Sequence, residues 1–289
     1  MLNKIKSQML NLGLKFISVD DKIVRMILET SSSNINEIVL MPAVKIVMKK
    51  LVNRLQNKIV HGRVYNGILN GIKVSIIRSQ VGCPNAALML ECLKRSKAKI
   101  IVRVDFCGGL EKNEVSIGDI VIPKTAYCGD GTSSEYIRAN QTLLNRLESI
   151  TNPLSTTQNL IASPQTIFIS KPNEILKELL IRDARALYPS KVRELHLWTT
   201  DALFCETYEF IRALNSINIK AIDMESSILF LLGQLYNLKV ASILSVSDLP
   251  GDPQYDLLKS NEIHPDMDVG ISNTIKILIN VLPKIQHSL

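Results

Sequence analysis

Two carboxylates flank a methionine in the stretch "AIDMESSILFLL", residues 221–232, where a short apolar run gives way to an apolar-rich helix. One acid at a strand-to-helix junction is ordinary, because it caps the helix. A second acid two residues on, Glu225, sits where the helix dipole favours its ionised form. It can therefore offer a fixed anion to a positive charge. Two other apolar runs also end in polar sequence. Arg103 lies just before "DFCGGL", and Ser247-Asp248 follows "SILSV". Taken singly, Arg103 reads equally well as half of a salt bridge, and Asp248 as a turn cap. Taken together, one cation and two acids reach the carboxyl ends of strands, where open α/β sheets bind ligands.

The elements that must position these residues are legible from residue 37 onward, where strands and helices alternate in the α/β pattern. "EIVLM" is a short buried strand. "RVYNGILNGIKVSIIRS" carries Asn70-Gly71 between two β-rich runs, a hairpin signal. "PNAALMLECLKRS" is a helix opened by Pro84 at its first position. "AKIIVRV" is a buried strand running into Gly108-Gly109, and "SIGDIVIP" another strand. "NEILKELLIRDARAL" and "ETYEFIRALNSI" are amphipathic helices, "KVASILSVSD" a last core strand and "GISNTIKILINVLPKI" a closing helix. The expected architecture is a single α/β domain over residues 36–289, preceded by an extension over residues 1–35. The spacing of Ile5, Met9, Leu12 and Phe16 predicts an amphipathic helix in that extension, and "TSSSN" at 30–34 reads as its linker.

Composition narrows the function. The chain has 289 residues, 46% of them apolar, enough for a large core. No apolar run reaches the roughly 18 residues that span a bilayer. The five cysteines form no CxxC pair, which fits reduced thiols in a cytoplasmic protein and no metal site. Net charge is +7, but the lysines and arginines are scattered, without the aromatic interleaving of a nucleic-acid surface. A cationic surface suits small anionic substrates equally well.

At these residues the chain resembles the hexameric nucleoside phosphorylases, the group of purine nucleoside, uridine and methylthioadenosine phosphorylases. The resemblance runs from about residue 36 to 285. "DMESSILFLL" resembles the Met-Glu motif, "SVSD" the purine-site aspartate segment and "VRVDFCGGLEKNEVSIGDIVIP" the phosphate-arginine segment. "SQVGCPNAA" is similar to the glycine-proline loop, with "DGTSSEYI" and "TTDALF" as weaker matches. The resemblance implies a three-layer α/β/α sandwich with a mixed central sheet, and no cofactor beyond inorganic phosphate as co-substrate. It further implies a homo-hexamer, a trimer of dimers, with a dimer as the lesser alternative. By the same resemblance Met224 and Glu225 contact the ribose, Ser79 and Gly82 belong to the substrate loop, and Arg103 binds phosphate.

The chemistry of such a site can be stated physically. Breaking an N-glycosidic bond builds positive charge on the sugar, which an adjacent anion stabilises; Glu225 supplies it, and Asp223 is left a structural role. A departing purine needs a proton at N7, which an acid of raised pKa can give; Asp248 is the candidate. Ser247 either orients Asp248 or caps the following turn. Phe204, or Leu203 beside it, either stacks on the base or packs in the core.

The phosphate side departs from the pattern. "VLMPAVKI" keeps "VLMP" but lacks the Gly-Asp turn that follows in the family, and Lys45 stands near the place of an arginine. Lys45 is either a phosphate ligand or a solvated helix lysine. His61 and Arg63 are the nearest substitutes for an arginine lent by a neighbouring subunit. Asp105-Phe106 replaces Gly-Thr or Gly-Ser after the strand-end arginine, placing an acid beside the expected phosphate. The Gln and Arg of uridine phosphorylases after "TTDALF" are missing, and so is an early histidine for the 5′-hydroxyl. The leading expectation is a purine-type nucleoside phosphorylase. The alternatives are a phosphate-independent nucleosidase, a uridine phosphorylase, or a nucleoside-binding or inactive partner subunit.

Overall fold

The computed structural model describes residues 18–156 and 165–288. The helix expected around Ile5, Met9, Leu12 and Phe16 lies outside them. The described chain opens with helix α1 (Val19–Leu28), capped by the Ser18 hydroxyl, and the expected linker forms a 3-10 turn (Ser32–Asn34). The core sheet follows as β1 (Ile38–Met41), helix α2 (Lys45–Val52), β2 (Gln56–His61), β3 (Val64–Leu69) and β4 (Ile72–Ile77). Helix α3 (Cys83–Leu93) leads to β5 (Ile100–Gly109) and β6 (Ile120–Cys128), then to α4 (Gly131–Arg138), α5 (Gln141–Leu144), β7 (Glu148–Thr151) and β8 (Thr166–Ser170). The chain closes with α6 (Glu174–Leu187), β9 (Val192–Thr199), α7 (Tyr208–Ser216), β10 (Ala221–Asp223), α8 (Ser226–Tyr236), β11 (Lys239–Asp248) and α9 (Pro265–Gln286).

The strands make one mixed sheet in the order β2-β3-β4-β1-β5-β10-β9-β6-β8-β7, with β11 pairing β5 and β6. The β3–β4 hairpin turns at Asn70-Gly71, both at positive φ, as the two-residue loop requires. β5 is the hub: it runs parallel to β1 and β11, and its glycine end meets β10 antiparallel. Period-two alternation sends side chains to two separate cores. Val39, Met41 and Ile101 pack with Leu28, Leu90 and Leu232 of α1, α3 and α8. Ile38, Leu40 and Val102 pack with Leu51, Leu180 and Leu278 of α2, α6 and α9. The result is the expected sandwich of helices on both faces of a mixed sheet. Val24 and Leu28 join α1 to the first core, so the later half of the amino-terminal extension is part of the packed body.

Candidate active site

Strands β5, β10 and β11 end around one cavity of about 240 Å³. Ala43, Val44, Arg103, Asp105 and Glu225 line one part of it, and Leu203, Glu206, Ser247, Asp248 and Leu257 another. Met224 contributes its side chain between them. All three polar strand ends singled out in the sequence therefore meet in one place.

Asp223 and Glu225 both line the cavity, but their hydrogen bonds differ. Asp223 ends β10 and is fully inward. Its Oδ2 accepts the Ser226 N–H of α8 at 3.0 Å, and its Oδ1 accepts the Thr199 hydroxyl at 2.7 Å. Glu225 occupies the cap position of α8 without capping it, so its side chain is free to turn to the cavity. There Oε1 accepts the Gly82 N–H at 2.7 Å, and Oε2 takes Arg103. Gly82 holds φ at 100°, a conformation that side chains avoid, so glycine is what lets the loop amide reach the acid. Burial pushes the Glu225 carboxyl up to about 7, with Arg103 pulling it back.

Arg103 is only 2% exposed. Its Nη1 meets Asp223 at 2.8 Å and its Nη2 meets Glu225. Burial alone would lower its pKa, but Glu225, Asp223 and Asp105 outweigh that and hold it above its ordinary value. Its Nε has no hydrogen-bond partner among the described residues. Arg103 is thus a salt-bridge partner that also lines the cavity.

On the other wall, β11 bulges between Val246 and Asp248, so that Asp248 pairs in register with Gly108. A regular strand sends neighbouring side chains to opposite faces, but here Ser247 and Asp248 both line the cavity. Gly108 permits the close approach, since a Cβ there would lie 2.8 Å from Pro250 and 2.9 Å from Ile222. The Ser247 hydroxyl lies 2.6 Å from Asp248 Oδ1 and 3.2 Å from the Cys107 carbonyl. Ser247 therefore orients the acid. Burial raises the Asp248 pKa, against the opposing hydrogen bonds from Ser247 and the Leu257 N–H.

Three expectations need correction. Phe204 is 85% exposed and does not line the cavity; the short 3-10 turn at Leu203–Cys205 has Leu203 line it in its place. Lys45 is the exposed first residue of α2, and Ala43 and Val44 line the cavity instead. Arg63, which donates to the Ile27 carbonyl at 3.1 Å, and His61, at the end of the edge strand β2, lie outside this chain's own cavity; their expected place is a neighbouring subunit's. Ser79 is buried, with its hydroxyl on the Gln80 carbonyl at 2.9 Å; it fixes the loop that carries Gly82 and does not face the cavity.

No motif or spacing pointed to Glu206. It lines the cavity from the loop after β9, where burial, helped by Asp248 and Asp256, pushes its carboxyl up to about 8. Its folded pKa lies above its ordinary value of 4.5. The unfolded chain therefore ionises first, and stability present at acid pH is lost as pH rises through about 8. Glu206→Gln should match the parent's melting temperature near pH ~4 and exceed it near pH ~9. A variant that melts alike at both values would place Glu206 in water.

The fold and this set of strand-end groups define an α/β enzyme-like body with one polar-ended cavity at its sheet's carboxyl edge. The chain belongs to the phosphorylase superfamily, whose family profile matches residues 37–283. It is 23% identical over 217 residues to a guanosine phosphorylase of Halorubrum lacusprofundi, covering 74% of this chain and 77% of that one. It is 25% identical over 179 residues to a DeoD-type purine nucleoside phosphorylase of Bacillus cereus, covering 62% of this chain but only 64% of the relative's length. Its fold matches the Toxoplasma gondii purine nucleoside phosphorylase solved with immucillin-H, with a TM-score of 0.68, 17% identity and coverage of 91% and 96% of the two chains.

Proposed function

We propose that this chain cleaves the N-glycosidic bond of a purine nucleoside with inorganic phosphate, releasing free base and ribose 1-phosphate. The observation that carries this is the placing of two buried acids on the walls of one cavity, Glu225 paired with the Arg103 cation and Asp248 with a pKa that burial raises. As the C1′–N9 bond breaks, its electron pair goes to the base and positive charge builds on the ribose. Ionised Glu225 opposes that charge. Protonated Asp248 delivers its proton to N7, so the base leaves neutral. A phosphate oxygen then closes the new bond at C1′, with Arg103 the nearest cation. The names of the relatives, a guanosine and a purine nucleoside phosphorylase, agree with a purine. The reaction asks for no cofactor.

A second reading, hydrolysis by water, is favoured by one observation: the Asp105 carboxylate is buried on the acceptor side of the cavity. Base release from inosine, adenosine, methylthioadenosine and uridine, with and without phosphate, separates the readings. Release that ignores phosphate altogether would replace phosphorolysis by hydrolysis. Asp248→Asn should slow natural purine nucleosides at least tenfold, yet spare a nitrophenyl riboside whose leaving group needs no proton. Equal losses on both substrates would make Asp248 structural.

The proposed assembly is a homo-hexamer built from dimers, with the dimer as its minimum. In support, β2 lies at the sheet edge and leaves Ile59 58% and Val60 48% exposed, an apolar edge that a neighbour would cover. A monomer in sedimentation at micromolar concentration would contradict it. The proposed compartment is the cytoplasm. In support, all five cysteines are free thiols, and no helix among the described residues is long and apolar enough to cross a membrane.

A further inference from the structure

The acceptor side of the cavity already holds a carboxyl of the protein's own, whose pKa burial raises while Arg103 and three backbone amides oppose that shift. Asp105 is 1% exposed. Its Oδ2 accepts the backbone N–H groups of Ala43 and Val44, the second at 3.1 Å, and its Oδ1 accepts the Phe106 N–H at 2.9 Å. Ala43 and Val44 lead into α2, whose cap residue Val44 offers no side-chain hydrogen bond to the helix. Amides at a helix amino terminus attract oxyanions through both their hydrogens and the helix dipole. Arg103 lies two residues before Asp105 on β5, lines the same cavity, and keeps its buried Nε–H unpartnered among the described residues. Two backbone donors, a helix amino terminus and an unspent guanidinium N–H together make a receptor for an oxyanion. A side-chain carboxylate fills part of it.

We propose that Asp105 is a tethered competitor for the oxyanion co-substrate: its carboxyl occupies the amide cradle of Ala43 and Val44, beside Arg103 in the same cavity, and so sets how weakly external phosphate binds. The word co-substrate rests on the phosphorolysis reading above; the occupancy of the cradle does not. A second anion cannot enter a buried site beside an ionised carboxylate without strong repulsion. It must first displace the side chain from its amides. Because Asp105 is tethered, its effective concentration at the cradle is fixed by the chain and is not diluted. Arg103 cannot offset this by itself, since Asp223 and Glu225 already claim both its Nη groups.

The test compares the parent, Asp105→Gly and Asp105→Asn, each checked for folding by circular dichroism. Inorganic phosphate is titrated into each by calorimetry without nucleoside, and base release from a purine nucleoside is then followed against phosphate concentration. Asp105→Gly should bind phosphate at least tenfold more tightly than the parent, and Asp105→Asn, which keeps the shape but not the charge, should fall between. Equal or weaker phosphate binding in the folded variants would overturn the assignment. If Asp105→Gly does not fold, Asp105→Asn decides alone by the same criterion. Tighter phosphate binding with base release that ignores phosphate in every form would keep the cradle and sink phosphorolysis. Phosphate-dependent release in the parent with unchanged binding in both variants would do the reverse.

Discussion

Glu225→Gln should fold like the parent and lose two orders of magnitude or more of turnover, at least about 2.7 kcal/mol of transition-state stabilisation. The fold survives because Arg103 keeps its second partner, Asp223, and the amide oxygen can still accept the Gly82 N–H. What disappears is the negative charge held against the ribose as the glycosidic bond opens. The same substitution should flatten one limb of the pH profile. The Glu225 carboxyl titrates at about 7, so parent turnover should rise as pH passes through that value and the acid ionises. A loss smaller than tenfold, or a rising limb that persists in the variant, would take the sugar-facing role away from Glu225.

Arg103→Ala should be the most destabilising single change in the site. It leaves two carboxylates, Asp223 and Glu225, with side chains 0% and 3% exposed and no cation between them. Removing one partner of a buried pair commonly costs about 3–5 kcal/mol, because the remaining charge is left uncompensated. Urea unfolding at neutral pH reads this directly, and the midpoint should fall by more than for Glu225→Gln. Any turnover that remains should show no saturation with phosphate. Arg103→Lys should recover part of the stability but less of the phosphate response, since an ammonium cannot reach both carboxylates and the cradle in one plane. A loss of unfolding free energy below about 1 kcal/mol for Arg103→Ala would mean that the two acids pair or neutralise without it.

These residues show how far the sequence could be read. β1, the β3–β4 hairpin, α3, β5, α6 and β11 are legible because each joins an apolar period to a local stop signal, such as Asn70-Gly71 or Pro84. Helix α9 begins at Pro265, a turn and more before the expected "GISNT" start, with His264 as its cap. β2 escapes notice because "QNKIVH" is an edge strand without a buried face, and its burial is exposed almost throughout. β9 hides its alternation behind charged residues. In the site, Asp223, Glu225 and Ser247-Asp248 could be found because they stand at strand ends, and Arg103 because it is a cation in an apolar run, although β5 runs on past it to Gly109. The partners of Asp105 lie some sixty residues away at Ala43 and Val44, a contact that no local pattern records. Glu206 sits in a loop outside any periodic element, near enough to Asp248 for the two acids to interact, and the exposed Phe204 belongs to the adjoining 3-10 turn.

β5 also serves as a length standard. Arg103 stands at one end of the reacting region, and Gly108, in register with Asp248, stands at the other. Five steps of extended chain separate them, roughly 17 Å. The interval between the anion-binding end and the acid that meets the base is therefore set by covalent geometry and the sheet's own ladder. Loops after β9 and β11 can exchange residues, and so admit a different base or 5′ group, without stretching that interval. Divergence in substrate choice on this architecture should accumulate in those loops, while an insertion or deletion within β5 would throw both ends of the chemistry out of step.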